Sequence, residues 1–387
     1  MAGIPDDDEL ALSSGERELV RTARTFAREV LAPAAASWEQ ERTLPRAAVT
    51  EAARLGLAGL LAPAEVGGGE VGPVGMARIM EELAAVDLAF AFVLVVHNNL
   101  VGAIARRGSP SQRATLLEPM VRADRLGAFL LTEPTGGSDA AALRTNAAPV
   151  PEGWVLNGDK AWITAATHAD VLAVYAQTDQ YAGSRGIAAF LVEADHAGVE
   201  RTEPYAMLGA HAMGTGGFAF RDVQLDHEAL FVPVGHGFRA ALEGIDAARA
   251  TVAAMCVGML GSALESAIAH TRARNAFGQP VADFQGVQWM LADVATDLLA
   301  ARRLAYDAAR AVQRADPSAA VSAAHAKKFA TRVALTGIAQ CMQTMGAEGL
   351  RQIHPLARHL AAAKVAQYLD GATEIQNVVI ARSLFRS

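Results

Sequence analysis

The sequence predicts a mainly α fold with a central β domain. It divides into an N-terminal helical domain over 1–125, a small β-barrel or sandwich over 126–235, and a C-terminal four-helix bundle over 236–387. Three observations carry this reading. Helical periodicity dominates to about residue 125. Short β-type runs divided by turn residues then replace it to about residue 235. Long alanine-rich helical stretches with short joints follow. At 387 residues the chain is long for one core, and two or three domains are expected.

In chain order, Ser13 or Ser14 is placed to cap a first helix, with Glu16 or Arg17 in its first turn. That helix is expected to run over 16–32 and stop at Pro33. Further helices are expected over 46–57, 76–86, 89–107 and 112–123, separated by Gly and Pro clusters. The most apolar run, 88–96, is too short to span a bilayer and is followed by His97-Asn98-Asn99, so it reads as a buried helix. The stretch Gly67-Gly-Gly-Glu-Val-Gly72 matches the spacing of a dinucleotide loop, but Pro63 and Ala64 replace the strand such a loop needs. It reads as a flexible surface loop.

The β segments are expected over 128–131, 154–156, 161–164, 171–176, 187–192 and 217–220, with turns at Asn157-Gly158 and Ala182-Gly183. Long helices follow over 238–274, 283–314, 318–346 and 355–385, jointed at Gly278-Gln-Pro280 and Asp316-Pro317. Near the end, Asp370 lies between a helix ending near Tyr368 and a short final helix. Thr373 is placed to cap that helix, with Gln376 as its capping-box partner.

Composition narrows the function. The chain is 52% hydrophobic, which argues for packed cores and against disorder. Its formal charge is −7, from 34 basic and 41 acidic residues, without a long basic run; this disfavours nucleic-acid binding. Cys256 and Cys341 are far apart in helical sequence, so neither a disulfide nor a metal site is expected. The acidic run Asp6-Asp-Asp-Glu9 is unlike a targeting peptide, and a cytoplasmic, non-membrane protein is expected.

Two blocks carry chemistry. Leu130-Leu-Thr-Glu-Pro-Thr-Gly-Gly-Ser-Asp139 joins a strand end to a turn that offers backbone N–H groups and hydroxyls to a ligand. Gly158-Asp-Lys-Ala-Trp-Ile-Thr164 reads as a strand in which Trp162 and Thr164, two apart, share a face. A flat aromatic beside a hydroxyl suits a planar cofactor with polar edges, although each residue alone would also serve as ordinary sheet packing.

Three further segments extend the pattern: Arg274-Asn-Ala-Phe-Gly278 with Phe284-Gln285, Gln343-Thr-Met-Gly346, and Asp370-Gly-Ala-Thr-Glu-Ile-Gln376. With these five blocks in this order, and Pro63-Ala-Glu-Val-Gly-Gly68 before them, nearly the whole chain resembles the acyl-CoA dehydrogenase family. The resemblance implies FAD. It implies that Phe129, Leu131, Thr132, Gly137, Ser138, Trp162, Thr164 and Thr373 contact it, with the Leu131–Thr132 backbone, the Thr132 and Thr164 hydroxyls and the Trp162 ring at the isoalloxazine. Arg274, Phe277, Gln285, Gln343, Gly346 and Ala347 would reach the FAD of a neighbouring subunit, in a homotetramer built as a dimer of dimers. Ser138, Asp246, Arg249 and Leu369 would line the path of the substrate. Asp370 stands where the family often carries the Glu that takes the α-proton of an acyl thioester, carried on coenzyme A or a carrier protein. Electrons would pass to an electron-transfer flavoprotein or to oxygen.

The chain also departs from the family. Asp370 is shorter than Glu by one methylene, roughly 1.5 Å of reach. Leu369 replaces a frequent Tyr, Ala372 a Thr, and Ala361-Ala362 an Arg-Asp pair. Gly209-Ala-His211-Ala-Met213 replaces a Gly-x-Arg-x-Ser stretch, and His211 reads as a structural or rim residue. Asp246 and Arg249, three apart on one helix face, also read as a plain intrahelical pair. Two other functions remain open: an oxygen-using oxidase or N-hydroxylase of the same fold, since nitroalkane oxidases of this kind use Asp as the base, and a catalytically idle thioester-binding protein.

Overall fold

The computed structural model describes residues 10–385, and the acidic run Asp6-Asp-Asp-Glu9 lies outside them. Helix α1 (Ser14–Phe26) starts at Ser13, whose Oγ accepts from the Glu16 N–H at 3.2 Å while the Glu16 carboxylate accepts from the Ser13 N–H at 2.8 Å. The expected stop at Pro33 does not occur. A π-helical turn (Ala27–Leu31) joins α1 to α2 (Ala32–Glu41), and the Ala32 N–H donates five residues back to Ala27 O. Proline lacks an N–H and crowds the carbonyl one turn earlier. Widening the preceding turn relieves both problems, so the helix passes through.

Helices α3 (Arg46–Arg54), α4 (Pro73–Ala84), α5 (Leu88–Arg107) and α6 (Pro110–Val121) complete the N-terminal group. Helix α5 has 20 residues and is apolar enough to cross a bilayer, so the shortness of the 88–96 run does not decide its place. Burial does: 78% of its apolar window is covered by the rest of the protein. The 67–72 loop is strapped down rather than flexible. The N–H groups of Gly69, Glu70 and Val71 donate to the carbonyls of Gly59, Ala62 and Leu60. A Cβ on Gly68 would come within 2.1 Å of Ala62 O, so only glycine fits there.

Eight strands form one mixed sheet: β1 (Gly127–Leu130), β2 (Asn146–Val150), β3 (Gly153–Ile163), β4 (Val171–Gln177), β5 (Ile187–Glu193), β6 (Val199–Arg201), β7 (Gly216–Asp226) and β8 (Leu230–Val232). Their order is β6-β7-β3-β2-β4-β5-β8, with β1 parallel to β4. Strand β2 runs antiparallel along β3 and meets β4 at Asn146 and Gln177, so it hinges two halves of the sheet. The halves close on a shared core that includes Leu156, Leu172, Val174, Phe190, Phe218 and Phe220. Alternation along β4 sends Leu172, Val174 and Ala176 into this core, and Val171, Ala173 and Tyr175 into the one shared with α5 and α6. The expected turn at Asn157-Gly158 is instead a bulge within continuous β3. Gly158 has φ 142°, and a Cβ there would meet Thr145 Cα at 2.6 Å.

The C-terminal bundle contains α7 (Gly237–Ala273), α8 (Gln285–Gln313), α9 (Ala319–Met345), α10 (Leu356–Ala366) and α11 (Thr373–Leu384). The helical stretch over 355–385 is broken at Asp370, as expected from the sequence, because Asp370 and Gly371 both have positive φ, 50° and 96°. A small hairpin, β9 (Asn275–Ala276) with β10 (Gln279–Pro280), joins α7 to α8. The N-terminal helices and the bundle share one continuous core, drawn from α1, α4 and α5 on one side and α7–α10 on the other. Within it Glu81 on α4 accepts from Arg302 at 2.9 and 3.1 Å and from the Tyr306 hydroxyl, both on α8. Cys256 and Cys341 are buried and free.

Candidate active site

The two sequence blocks are brought together by a pair that sequence reasoning missed. Lys160 on β3 and Glu133, just past β1, form an ion pair at 2.9 Å with side chains 0% and 4% exposed. The Lys160 ammonium also donates to Leu131 O at 2.9 Å, and the Ala161 N–H donates to Thr132 O at 3.0 Å. Glu133 further accepts from the N–H groups of Arg144 and Thr145. Burial pushes its carboxyl up, but the Lys160 charge and these donors outweigh that and hold it below the usual carboxylate range. Removing one member of such a pair typically costs about 3–5 kcal/mol. The Leu131–Glu133 segment is thus fixed against β3, and the Gly136-Gly137-Ser138 turn beyond it is exposed. The signal in the sequence was a glutamate just past the apolar β1 run and a lysine directly before Ala161-Trp-Ile163.

Trp162 sits where the register of β3 slips against β7, with φ 60°. This left-handed residue breaks the alternation that placed Trp162 and Thr164 on one face: Trp162 stays 61% exposed, whereas Thr164 is buried. The Trp162 ring packs against Tyr205 at 4.7 Å between centroids. Phe129 is half-buried and packs on Tyr175 at 5.0 Å.

Asp370 is the second focus. Its carboxyl oxygen Oδ2 is buried without a hydrogen-bond partner. Burial raises the carboxyl to about 6, against the pull of Lys327 and Arg249. Arg249 on α7 is buried; its Nε donates to Asp370 O at 3.0 Å and its Nη1 to Asp246 Oδ1 at 2.6 Å. The Asp246–Arg249 intrahelical pair therefore exists, and its arginine also reaches the Asp370 turn. Lys327 on α9 donates to Gly371 O at 2.7 Å. Gln376 does the same at 2.8 Å, so it is not the partner of a Thr373 cap. Ala372 occupies the N-cap of α11 without a side-chain bond, and Thr373 is its first helical residue. Leu369 packs against the helical core.

The other expected residues lie in separate groups. Arg274, Phe277 and Gln285 flank the β9–β10 hairpin, where Phe277 is 98% exposed and packs edge-on against Phe284. Gln343, Gly346 and Ala347 are exposed at the C-terminal end of α9. His211 is structural: its Nδ1 meets Glu39 Oε1 at 2.8 Å and its Nε2 meets Met207 O at 3.1 Å. It borders a cavity of about 290 Å³ also lined by Arg42, His354 and Arg358. Neither Asp370 nor the two sequence blocks line that cavity.

Three family models cover most of the chain. "Acyl-CoA dehydrogenase, N-terminal domain" matches residues 13–124, the middle domain 128–223, and the C-terminal domain 235–385. The short-chain specific acyl-CoA dehydrogenase of Homo sapiens mitochondria is 34% identical over 371 residues, covering 95% of this chain and 90% of that protein. Among solved structures, butyryl-CoA dehydrogenase from Megasphaera elsdenii superposes with a TM-score of 0.93 at 32% identity, covering 97% of this chain and 99% of that one. PigA, solved with FAD and proline, has a TM-score of 0.92 at 28% identity, covering 96% of this chain and 98% of that one.

Proposed function

Because this chain belongs to the acyl-CoA dehydrogenase family of FAD-dependent oxidoreductases, we propose that it removes the α and β hydrogens of an acyl thioester, with Asp370 as the α-proton base. The observation that carries this is the half-buried Asp370: its Oδ2 is buried without a partner, and the residue is held in a left-handed turn between two helices. A base is most useful when its pKa lies near working pH, and burial has moved Asp370 to about 6.

The residues fit the cofactor. Trp162 offers an exposed aromatic plate, and the Leu131–Thr132 backbone beside it is fixed by Lys160 and Ala161. The exposed Gly136-Gly137-Ser138 turn offers N–H and hydroxyl donors for oxygen-rich groups. Bound there, FAD supplies the acceptor for the β-hydride as the Cα–Cβ double bond forms. Asp370 takes the α-proton on its carboxylate. Arg249 anchors the Asp370 backbone, so the shorter side chain points from a fixed origin. Phe129, Gly137, Thr164 and Thr373 complete the flavin contacts, and Ser138, Asp246 and Leu369 the substrate path. Arg274, Phe277, Gln285, Gln343, Gly346 and Ala347 are surface residues suited to the FAD of a second subunit, in a homotetramer. An electron-transfer flavoprotein or oxygen is the proposed electron acceptor.

The test is anaerobic mixing of the FAD-loaded protein with a panel of coenzyme A and carrier-protein thioesters. A matched thioester bleaches the blue flavin band, and the ascending limb of the rate against pH has its midpoint near 6. Asp370→Asn slows bleaching on the order of 1000-fold while FAD stays bound. Failure of every thioester to bleach the wild-type flavin overturns the proposal.

A further inference from the structure

Lys327 is a buried cation, 1% exposed, on the buried face of α9 beside small residues such as Ala323, Ala330 and Ala334. An ammonium is costly to bury unless it is paired or fully hydrogen-bonded. Its Nζ donates to Gly371 O at 2.7 Å and to Gln367 O at 3.3 Å. These two carbonyls bracket Asp370: Gln367 closes α10, and Gly371 follows Asp370 in the left-handed turn. The titratable and charged groups facing Lys327 are Asp370 on the turn and, on α7, Arg249 and the Cys256 thiol, which burial pushes up to about 12 and so keeps neutral. Those facing Asp370 are Lys327 and Arg249.

We infer that Lys327 is a positioning residue for the proposed base: its ammonium clamps the two carbonyls around Asp370, fixing the turn and setting a positive charge beside the carboxyl. This rests on the reading of Asp370 as the base. A neutral donor could satisfy the same carbonyl, and Gln376 already bonds Gly371 O at 2.8 Å. What Lys327 adds is charge. Burial alone drives a carboxyl toward its protonated, non-basic form, and the Lys327 charge is the largest opposing influence on Asp370. Burial also lowers Lys327 itself to about 8, with Asp370 the main influence holding it up. Carboxylate and ammonium therefore coexist over an interval around neutral pH.

The experiment uses Lys327→Gln, which keeps a donor and removes the charge, Lys327→Met, which removes both, and Lys327→Arg, which restores charge. Two readouts apply: the pH dependence of thioester bleaching in FAD-loaded protein, and an infrared titration of the Asp370 carboxyl, taken as each protein minus its Asp370→Asn counterpart. Lys327→Gln is expected to move both midpoints upward by about one pH unit, and Lys327→Met to slow bleaching roughly 100-fold at pH 7 as well. Lys327→Arg is expected to return the midpoints to the wild-type position. If Lys327→Met does not fold, the Gln and Arg variants carry the comparison. Unmoved midpoints in a folded, FAD-containing Lys327→Gln overturn the inference. If no thioester bleaches the wild type, the reading of Asp370 as base fails, and the infrared titration still decides whether Lys327 governs that carboxyl.

Discussion

The Asp370 carboxyl carries a stability cost that follows from its chemistry. Its folded pKa is about 6 against an ordinary value of 3.8, so the folded protein holds this proton more tightly than the unfolded chain does. The corresponding stability is fully present below 3.8 and is lost as pH rises through about 6. At pH 8 Asp370→Asn, which has no charge to bury, should be more stable than the wild type by about 1–3 kcal/mol. Urea unfolding at pH 8 and pH 4 measures this, and the gap should close at the lower pH. No gain at pH 8 would mean that the carboxylate is better solvated than its burial implies. The turn also suits this residue type, since Asp and Asn are the non-glycine residues that best tolerate a φ of 50°. Asp370 was visible in the sequence through the resemblance carried by the Asp370-Gly-Ala-Thr-Glu-Ile-Gln376 block. Lys327 was not, because Lys327-Lys328 reads as a solvated pair unless the alanine stripe on which Lys327 alone falls is traced.

Among the elements, the long helices were legible because periodicity accumulates over many residues, and α4–α9 lie close to where the sequence placed them. Strands β2, β6 and β8 were not. Strand β2 reads Asn-Ala-Ala-Pro-Val, with one β-branched residue, and β6 and β8 have three residues each. The Asn157-Gly158 dipeptide was misread because its turn signal is local, whereas the close approach that demands glycine comes from Thr145, the residue just before β2. Gly158→Ala should therefore destabilise the protein by roughly 2–3 kcal/mol, combining a disfavoured φ with a backbone clash. Thermal unfolding of the variant should show a depressed melting temperature. A melting temperature equal to that of wild type would mean that β3 and β2 can separate freely at the bulge. The π-helical turn before Pro33 was equally illegible, since a proline within a helical pattern normally marks an end.

At the scale of the molecule, apolar side chains remain on the surface beside the residues expected to serve a second subunit. Trp289 on α8 is 62% exposed, and Phe277 protrudes from the adjoining hairpin. Clustered exposed aromatics are a common mark of association surfaces. Trp289→Glu should lower the oligomeric state seen by analytical ultracentrifugation and weaken FAD retention together. A variant that keeps its assembly and its flavin would remove α8 from the interface. The sequence announced the order of the layers through the switch from helical to β patterning and back. It did not announce that the outer two layers are one body, because shared burial between α4 and α8 leaves no local trace.

That shared core has a consequence for synthesis. Residues 122–236, 115 of them, separate the end of α6 from the start of α7. On the ribosome, α1, α4 and α5 emerge well before the helices that cover them, and the sheet comes out in between. The nascent chain must therefore carry an uncovered greasy face while at least those 115 residues are made, which makes the N-terminal helical group the segment most in need of a chaperone.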